Sequence, residues 1–289
     1  LKAFSKIVLL PLLFAAALLA PGCGQGGSPS PGLQPDGGTP SDTGAAVPPD
    51  ADPAQDVLWQ VSTINALMQG VYDGAVSVAQ VKEKGDLGVG TFEGLDGEMV
   101  VLDGKVYRVR ADGKAVQPED DEKVPFAAVT FFEADQQTEL RDIENYAELT
   151  AELDQMRSNP NLFYVWKISG TFPYMKTRSV PRQAEPYPPL AEATKNQAVF
   201  EFQDVKGTLV GVWCPDYAKT LNVAGYHLHF LTEDGQAGGH VLECALAEGT
   251  AALDSTAEFA MVLPQNEHFA RTDLAGTSEE DVKKVEGDN

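Results

Sequence analysis

Three of the four histidines in this 289-residue chain fall within one stretch, GYHLHFLTEDGQAGGH, residues 225–240. Neutral imidazole is a common transition-metal ligand, so His227, His229 and His240 together point to metal chemistry. His227 and His229 are two apart, which on a strand places both on one face. Asp234-Gly235 is a turn signal, so the apolar run 226–232 and the run from Gly238 read as two strands of a hairpin. A hairpin centred on that turn sets His229 opposite His240, with Cβ atoms roughly 5 Å apart. His227 then lies one pleat along on the same face. Three histidines with an open fourth position form the donor set of catalytic zinc, whereas structural zinc takes four protein ligands. Copper, iron or nickel also suit imidazole, so another divalent transition metal is compatible with the spacing. The plainer reading is a hairpin that happens to carry polar residues. His268, in QNEHFARTD, has no such neighbours and reads as a surface or packing histidine.

A rival pattern overlaps the first. His227-x-His229-x-x-x-Glu233 resembles the metal motif of cupins, in which Glu233 would be a ligand and His240 need not be. Cupins place a glycine six residues before the first histidine, where this chain has Leu221, and no second cupin half-motif is evident. Glu233 also abuts the Asp-Gly turn, where a solvent-facing acid is ordinary. The alternative function under this reading is an envelope metal- or sugar-binding module without turnover.

The elements that would position the histidines are mostly strands. Leu58–Val61 reads as a strand, Ser62 and Thr63 as helix caps, and 76–84 as a short helical stretch ended by Gly85. From Gly88, Asp-Gly pairs at 96–97, 103–104 and 112–113 separate short apolar runs, which predicts a meander. A strand is expected at 124–133. Asp142 is expected to cap a helix carrying Ile143, Tyr146, Leu149, Leu153 and Met156 and stopped at Asn159-Pro160. Strands follow at 162–169, 199–202 and 208–213. The prolines of TFPYMKTRSVPRQAEPYPPL, residues 171–190, predict a long rigid loop between them. The tail TSEEDVKKVEGDN carries a weak helical signal. The fold class is α+β: two β-rich halves with mixed sheets and a few short helices, the metal site on a hairpin of the C-terminal half.

Residues 1–23 carry Lys2 and Lys6, an apolar run over 7–20, and Ala20-Pro21-Gly22-Cys23. This predicts a signal peptide of lipoprotein type, with a lipid anchor at Cys23 and export to the cell envelope. Residues 24–54 are Gly, Pro, Ser, Ala and Asp with little to bury, and read as a disordered tether. The catalytic part is expected over 55–289, in halves of approximately 55–160 and 161–289. The formal net charge is −22; setting aside two lysines and four aspartates of residues 1–54 leaves −20 on the remainder. Such a balance argues against nucleic acid as a partner. It also means that a small anion would need a local positive centre. Cys214 and Cys244 leave two readings open, a disulfide or two buried thiols.

Several blocks resemble the alpha-acetolactate decarboxylase family: GTLVGVWCPDYAKTLNVAGYHLHFLTEDGQAGGHVLE, GDLGVGTFEGLDGEMVVLDGKVY and KTRSVPRQAEPYPPL. The likeness runs from about residue 57 to the C-terminus. It implies zinc on His227, His229 and His240, and two glutamates at the metal, Glu98 in LDGE and Glu286 in KKVEGD. It implies an arginine, Arg178, and a threonine, Thr91, for the substrate. It implies decarboxylation of 2-acetolactate, a small anion, to acetoin and CO2 through a metal-stabilised enediolate, and a homodimer. Read from the sequence without the family, Glu98 is a turn acid at the start of a hairpin strand, Arg178 a basic residue of the proline-rich loop, and Glu286 a solvated tail residue.

Overall fold

The computed structural model describes residues 56–277 and 279–286. The expected signal segment, the Cys23 anchor and the tether through residue 54 lie outside the described residues. In chain order the strands are β1 (Val57–Val61), β2 (Val76–Ser77), β3 (Leu87–Thr91), β4 (Glu98–Leu102), β5 (Lys105–Val109), β6 (Ala115–Val116), β7 (Lys123–Val124), β8 (Phe126–Thr130), β9 (Gln136–Ile143), β10 (Phe163–Ser179), β11 (Ala198–Cys214), β12 (Gly225–Thr232), β13 (Gly238–Thr256) and β14 (Glu258–Val262). The helices are α1 (Ile64–Met68), α2 (Val78–Lys82), α3 (Tyr146–Met156), α4 (Leu190–Ala193), α5 (Glu267–Arg271) and α6 (Glu279–Glu286).

The strands form two large sheets, as the α+β expectation requires. The first has the order β14-β1-β8-β3-β4-β5-β6 and is antiparallel except where β14 runs parallel to β1. Its centre is the expected meander, with Asp103-Gly104 turning β4 into β5. The second has the order β10-β11-β12-β13-β9, and β10 also pairs with β13, so β10 to β13 close on themselves as a small antiparallel barrel. Closure leaves those four strands no free edge over the paired stretches.

Side-chain alternation divides the core. Along β12, Tyr226, Leu228 and Phe230 point into the barrel and meet Trp166, Phe172 and the Leu149 and Leu153 face of α3. Leu231, with Val210 and Val212 of β11, points the other way, against Val89 and Val100 of the first sheet. His227 and His229 share the phase of Leu231, so they face the first sheet. A strand buried on both faces reads as a near-continuous apolar run, and only histidines interrupt this one.

Three local expectations need correction. Asp142 is not a helix cap: it is the penultimate residue of β9, with φ 55°, and Asn145 caps α3 by accepting from the Glu148 amide. The strand expected at 124–133 is shorter and breaks at Pro125 into β7 and β8. The proline-rich segment is not a loop from 171, because β10 continues to Ser179 and is paired on both sides. Pro173 is accommodated because both ladders skip it: the pairs to β11 pass from Phe172↔Val205 to Tyr174↔Gln203, and those to β13 from Thr171↔Glu248 to Tyr174↔Ala245. No partner loses a hydrogen bond to the missing N–H. Cys214 and Cys244 are free, buried thiols in different core clusters, one between the sheets and one inside the barrel.

Candidate metal and active site

The hairpin register is the one the turn predicts: His229 faces His240, Phe230 faces Gly239 and Leu231 faces Gly238. On the far side of β13, His240 faces Arg178 of β10. Directly opposed residues share a face, so His229, His240 and Arg178 make one row across three neighbouring strands. A bulge assists: Lys176 pairs with Glu243 but Thr177 with Val241, leaving one extra residue on β13 beside the row. Such bulges re-aim side chains. Gly239 has φ +132°, and a Cβ there would lie 2.4 Å from the Arg178 carbonyl oxygen, so only glycine lets β13 approach β10 this closely.

The candidate ligand atoms of His227, His229 and His240 all lie within 4.8 Å of one another, and all three residues are buried. The Nε2 atoms of His227 and His229 are 3.2 Å apart. His229 Nδ1 is 2.7 Å from the Met99 carbonyl oxygen and donates to it, which leaves Nε2 as the free lone pair. Burial holds all three imidazoles below their ordinary range, with the Arg178 charge adding to the effect: His227 falls to about 3, and His229 and His240 well below 6.5. They are therefore neutral donors. His227 Nδ1 and His240 Nδ1 are buried without a hydrogen-bond partner. Converging neutral lone pairs, an orientating carbonyl and orphaned ring nitrogens fit a bound divalent transition metal.

Two carboxylates join the cluster. Glu286 Oε2 is 3.5 Å from His227 Nε2 and 3.6 Å from His240 Nδ1, and its Oε1 is 3.0 Å from Arg178 Nη2. Glu98 Oε2 is 3.7 Å from His229 Nε2. Glu98 opens β4, pairs with Thr91 and points toward the second sheet with Val100. The Thr91 hydroxyl donates to the Gly97 carbonyl at 2.8 Å. Burial, with repulsion from Glu286, lifts Glu98 to about 8 against the pull of Arg178. Burial also raises Glu286, again against Arg178.

Arg178 is 2 % exposed, on a paired strand rather than a loop. Its Nη1 donates to Gln197 Oε1 at 3.0 Å, and its Nε is buried without a partner. Glu286 arrives on α6, whose Val282, one turn earlier, packs among Ile64, Leu67, Leu190 and Val223. A small cavity of about 20 Å³ lies at the cluster. It is lined by the polar Thr91, Glu98, His227, His229 and Glu286 together with apolar side chains that include Leu67, Leu95, Phe126 and Leu190.

The structure thus brings together Thr91, Glu98, Arg178, His227, His229, His240 and Glu286. It leaves Glu233 exposed at the turn, so the cupin-type ligand set is not formed. His268 is apart from the cluster, with Nδ1 2.7 Å from Asp73 Oδ2. Sequence reasoning missed Gln197 and the Met99 carbonyl. Neither leaves a sequence signal, because a backbone acceptor has no residue type and Gln197 meets Arg178 only through β10–β11 pairing.

Residues 58–276 match the family model described as Alpha-acetolactate decarboxylase. The chain is 50% identical over 240 residues to the alpha-acetolactate decarboxylase of Methanosarcina mazei, covering 83% of each chain. It is 43% identical over 239 residues to that of Brevibacillus brevis, covering 82% of this chain and 84% of the relative. The crystal structure of alpha-acetolactate decarboxylase from Bacillus subtilis strain 168 superposes with a TM-score of 0.78 at 37% identity, covering 80% of this chain and 99% of that one.

Proposed function

The chain belongs to the alpha-acetolactate decarboxylase family of lyases, and on that premise we propose that it converts 2-acetolactate to acetoin and CO2 with zinc held by His227, His229 and His240. The observation that carries the reading is the convergence of Arg178, Glu98 and Glu286 on those histidines. A structural metal site has no use for a buried guanidinium with a free Nε.

Zinc held by His227, His229 and His240 would supply a Lewis acid that stabilises the negative charge left when CO2 departs. The protein's residues do the rest. Arg178 is the local positive centre that a net charge of −22 otherwise denies an anion. Its guanidinium receives the substrate carboxylate and aligns the bond that breaks. Thr91 fixes the near wall through its bond to Gly97. Leu67, Leu95, Leu190 and Phe126 give the small cavity at the cluster an apolar lining that limits water there. Glu98, buried beside His229 with its carboxyl pushed up by burial, is the side chain placed to deliver a proton to the carbon that lost CO2. One-sided delivery gives chiral acetoin.

Supplying 2-acetolactate to the zinc-loaded protein and measuring acetoin and CO2 tests the assignment; absence of both rejects it. Glu98→Gln should slow turnover and lower the enantiomeric excess of acetoin. We also propose that the N-terminal segment exports the enzyme and anchors it at Cys23, which loss of labelled lipid in Cys23→Ala would test, and that the protein is a homodimer, which its solution mass would test.

A further inference from the structure

Among the described residues, two arginines are buried, Arg108 and Arg178. Their partners differ. Arg108 Nη1 is held by two carboxylates, Glu122 Oε2 at 2.6 Å and Asp96 Oδ2 at 3.2 Å. That is the partnership of a structural guanidinium, because a buried cation is costly until it is paired. Arg178 has one carboxylate, Glu286, and on its other arm a neutral amide: Nη1 donates to Gln197 Oε1 at 3.0 Å.

The chain builds Gln197 into that place. Its backbone N–H donates to the Thr194 carbonyl oxygen at 3.1 Å, closing the turn that follows α4. Leu190 and Ala193 of α4 are buried in the cluster with Ile64 and Leu67, which fixes where the turn ends. β11 begins at the next residue, with Ala198 facing Ser179 and Val199 facing Arg178. Gln197 is thus a diagonal neighbour of Arg178 across the ladder, a separation that long side chains bridge. An amide oxygen and a carboxylate oxygen at that point would hold the guanidinium plane alike. They differ in charge: a second carboxylate would add a negative charge beside the guanidinium, and an approaching anion would meet it.

In the reading above, on which this inference rests, the Arg178 guanidinium receives the substrate carboxylate. We propose that Gln197 is a positioning residue for Arg178: its neutral amide oxygen fixes the guanidinium plane without adding a charge that repels the anion. Arg108, held by two acids, is the structural counterpart within the same molecule.

The test uses 2-hydroxyisobutyrate, which has the substrate's hydroxyl and carboxylate but no ketone to accept electrons. Calorimetry on zinc-loaded wild type, Gln197→Glu and Gln197→Leu measures each affinity, and thermal melts of the ligand-free proteins measure stability. Gln197→Glu keeps an acceptor and adds a charge, so it should weaken binding by about tenfold or more. It should melt no lower than wild type, because a carboxylate holds the guanidinium at least as well as an amide. Affinity and stability then move apart, which a merely structural role would not produce. Gln197→Leu keeps the bulk and removes the acceptor, and should weaken binding about fivefold, the scale of one lost hydrogen bond. Wild-type affinity in either variant, a Gln197→Glu protein whose melting temperature falls together with its affinity, or no binding to wild type would each overturn the proposal. Acetoin production is assayed separately: if it is absent the decarboxylase reading fails, while the three affinities still decide what Gln197 does for Arg178.

Discussion

Arg178 and Glu286 form a buried ion pair, 3.0 Å between Nη2 and Oε1, that ties the middle of the barrel to the last residue of helix α6. Arg178 contributes two separate arms, one to Glu286 and one to Gln197, with Nε left for a ligand. Lysine keeps the charge but has one nitrogen where arginine has three. Arg178→Lys should therefore lower kcat/KM for 2-acetolactate by about 100-fold, the scale of losing a buried charged hydrogen bond to the substrate. Zinc content should be unchanged. A variant with near wild-type kcat/KM would show that the guanidinium does not hold the substrate.

Val282 is the anchor of α6, 4% exposed in the cluster with Leu67 and Leu190. The helix has only eight residues, too few to persist without tertiary contacts. Val282→Ala should release Glu286 from the histidines while leaving both sheets intact. Turnover should fall about tenfold, with the melting temperature lowered by no more than about 3 °C, since the loss is local. Amide exchange should rise in 279–286 alone. Unchanged exchange there, or a collapse of the main transition, would contradict this role.

Asp254 lies between the acids Asp135, Asp56 and Glu133 and is 5% exposed. Burial raises it to about 7, with the neighbouring carboxylates adding to the effect and the Glu133 amide opposing it. The unfolded chain holds this group near its ordinary value of about 4. Between those values the folded state binds more protons, so stability falls as pH rises through that window and the penalty is complete above it. Asparagine mimics the protonated acid. Asp254→Asn should thus stabilise the protein at pH 8 by on the order of 3 kcal/mol and leave stability at pH 4 almost unchanged. Urea melts at the two pH values check this. A destabilised variant at pH 8 would show that the carboxylate is favourable as an anion.

The histidine hairpin was legible because its determinants are local. Asp234-Gly235 fixes the turn, and period-two alternation fixes the face, so the pairing of His229 with His240 needs nothing from elsewhere in the chain. Arg178 was misplaced on a loop because proline usually ends a strand; here the ladders skip Pro173, and Arg178 stands opposite His240. Bringing Glu286 to the site depends on one buried valine in a polar helix, a signal too small to read in a tail. Glu98 resembled a turn acid because only the packing of sheet on sheet hides it. Family resemblance supplied these three residues; long-range pairing and burial give each its physical reason.

The central claim is that His227, His229 and His240 hold the metal that makes this protein a decarboxylase. The most direct measurement is zinc-dependent turnover of 2-acetolactate by chelator-stripped protein, with His240→Ala in parallel. Stripped wild type should be inactive and regain acetoin production with about one equivalent of zinc, and His240→Ala should bind zinc at least 100-fold more weakly and stay inactive at that loading. Full activity without metal, or a His240→Ala variant that matches wild type, would contradict the account.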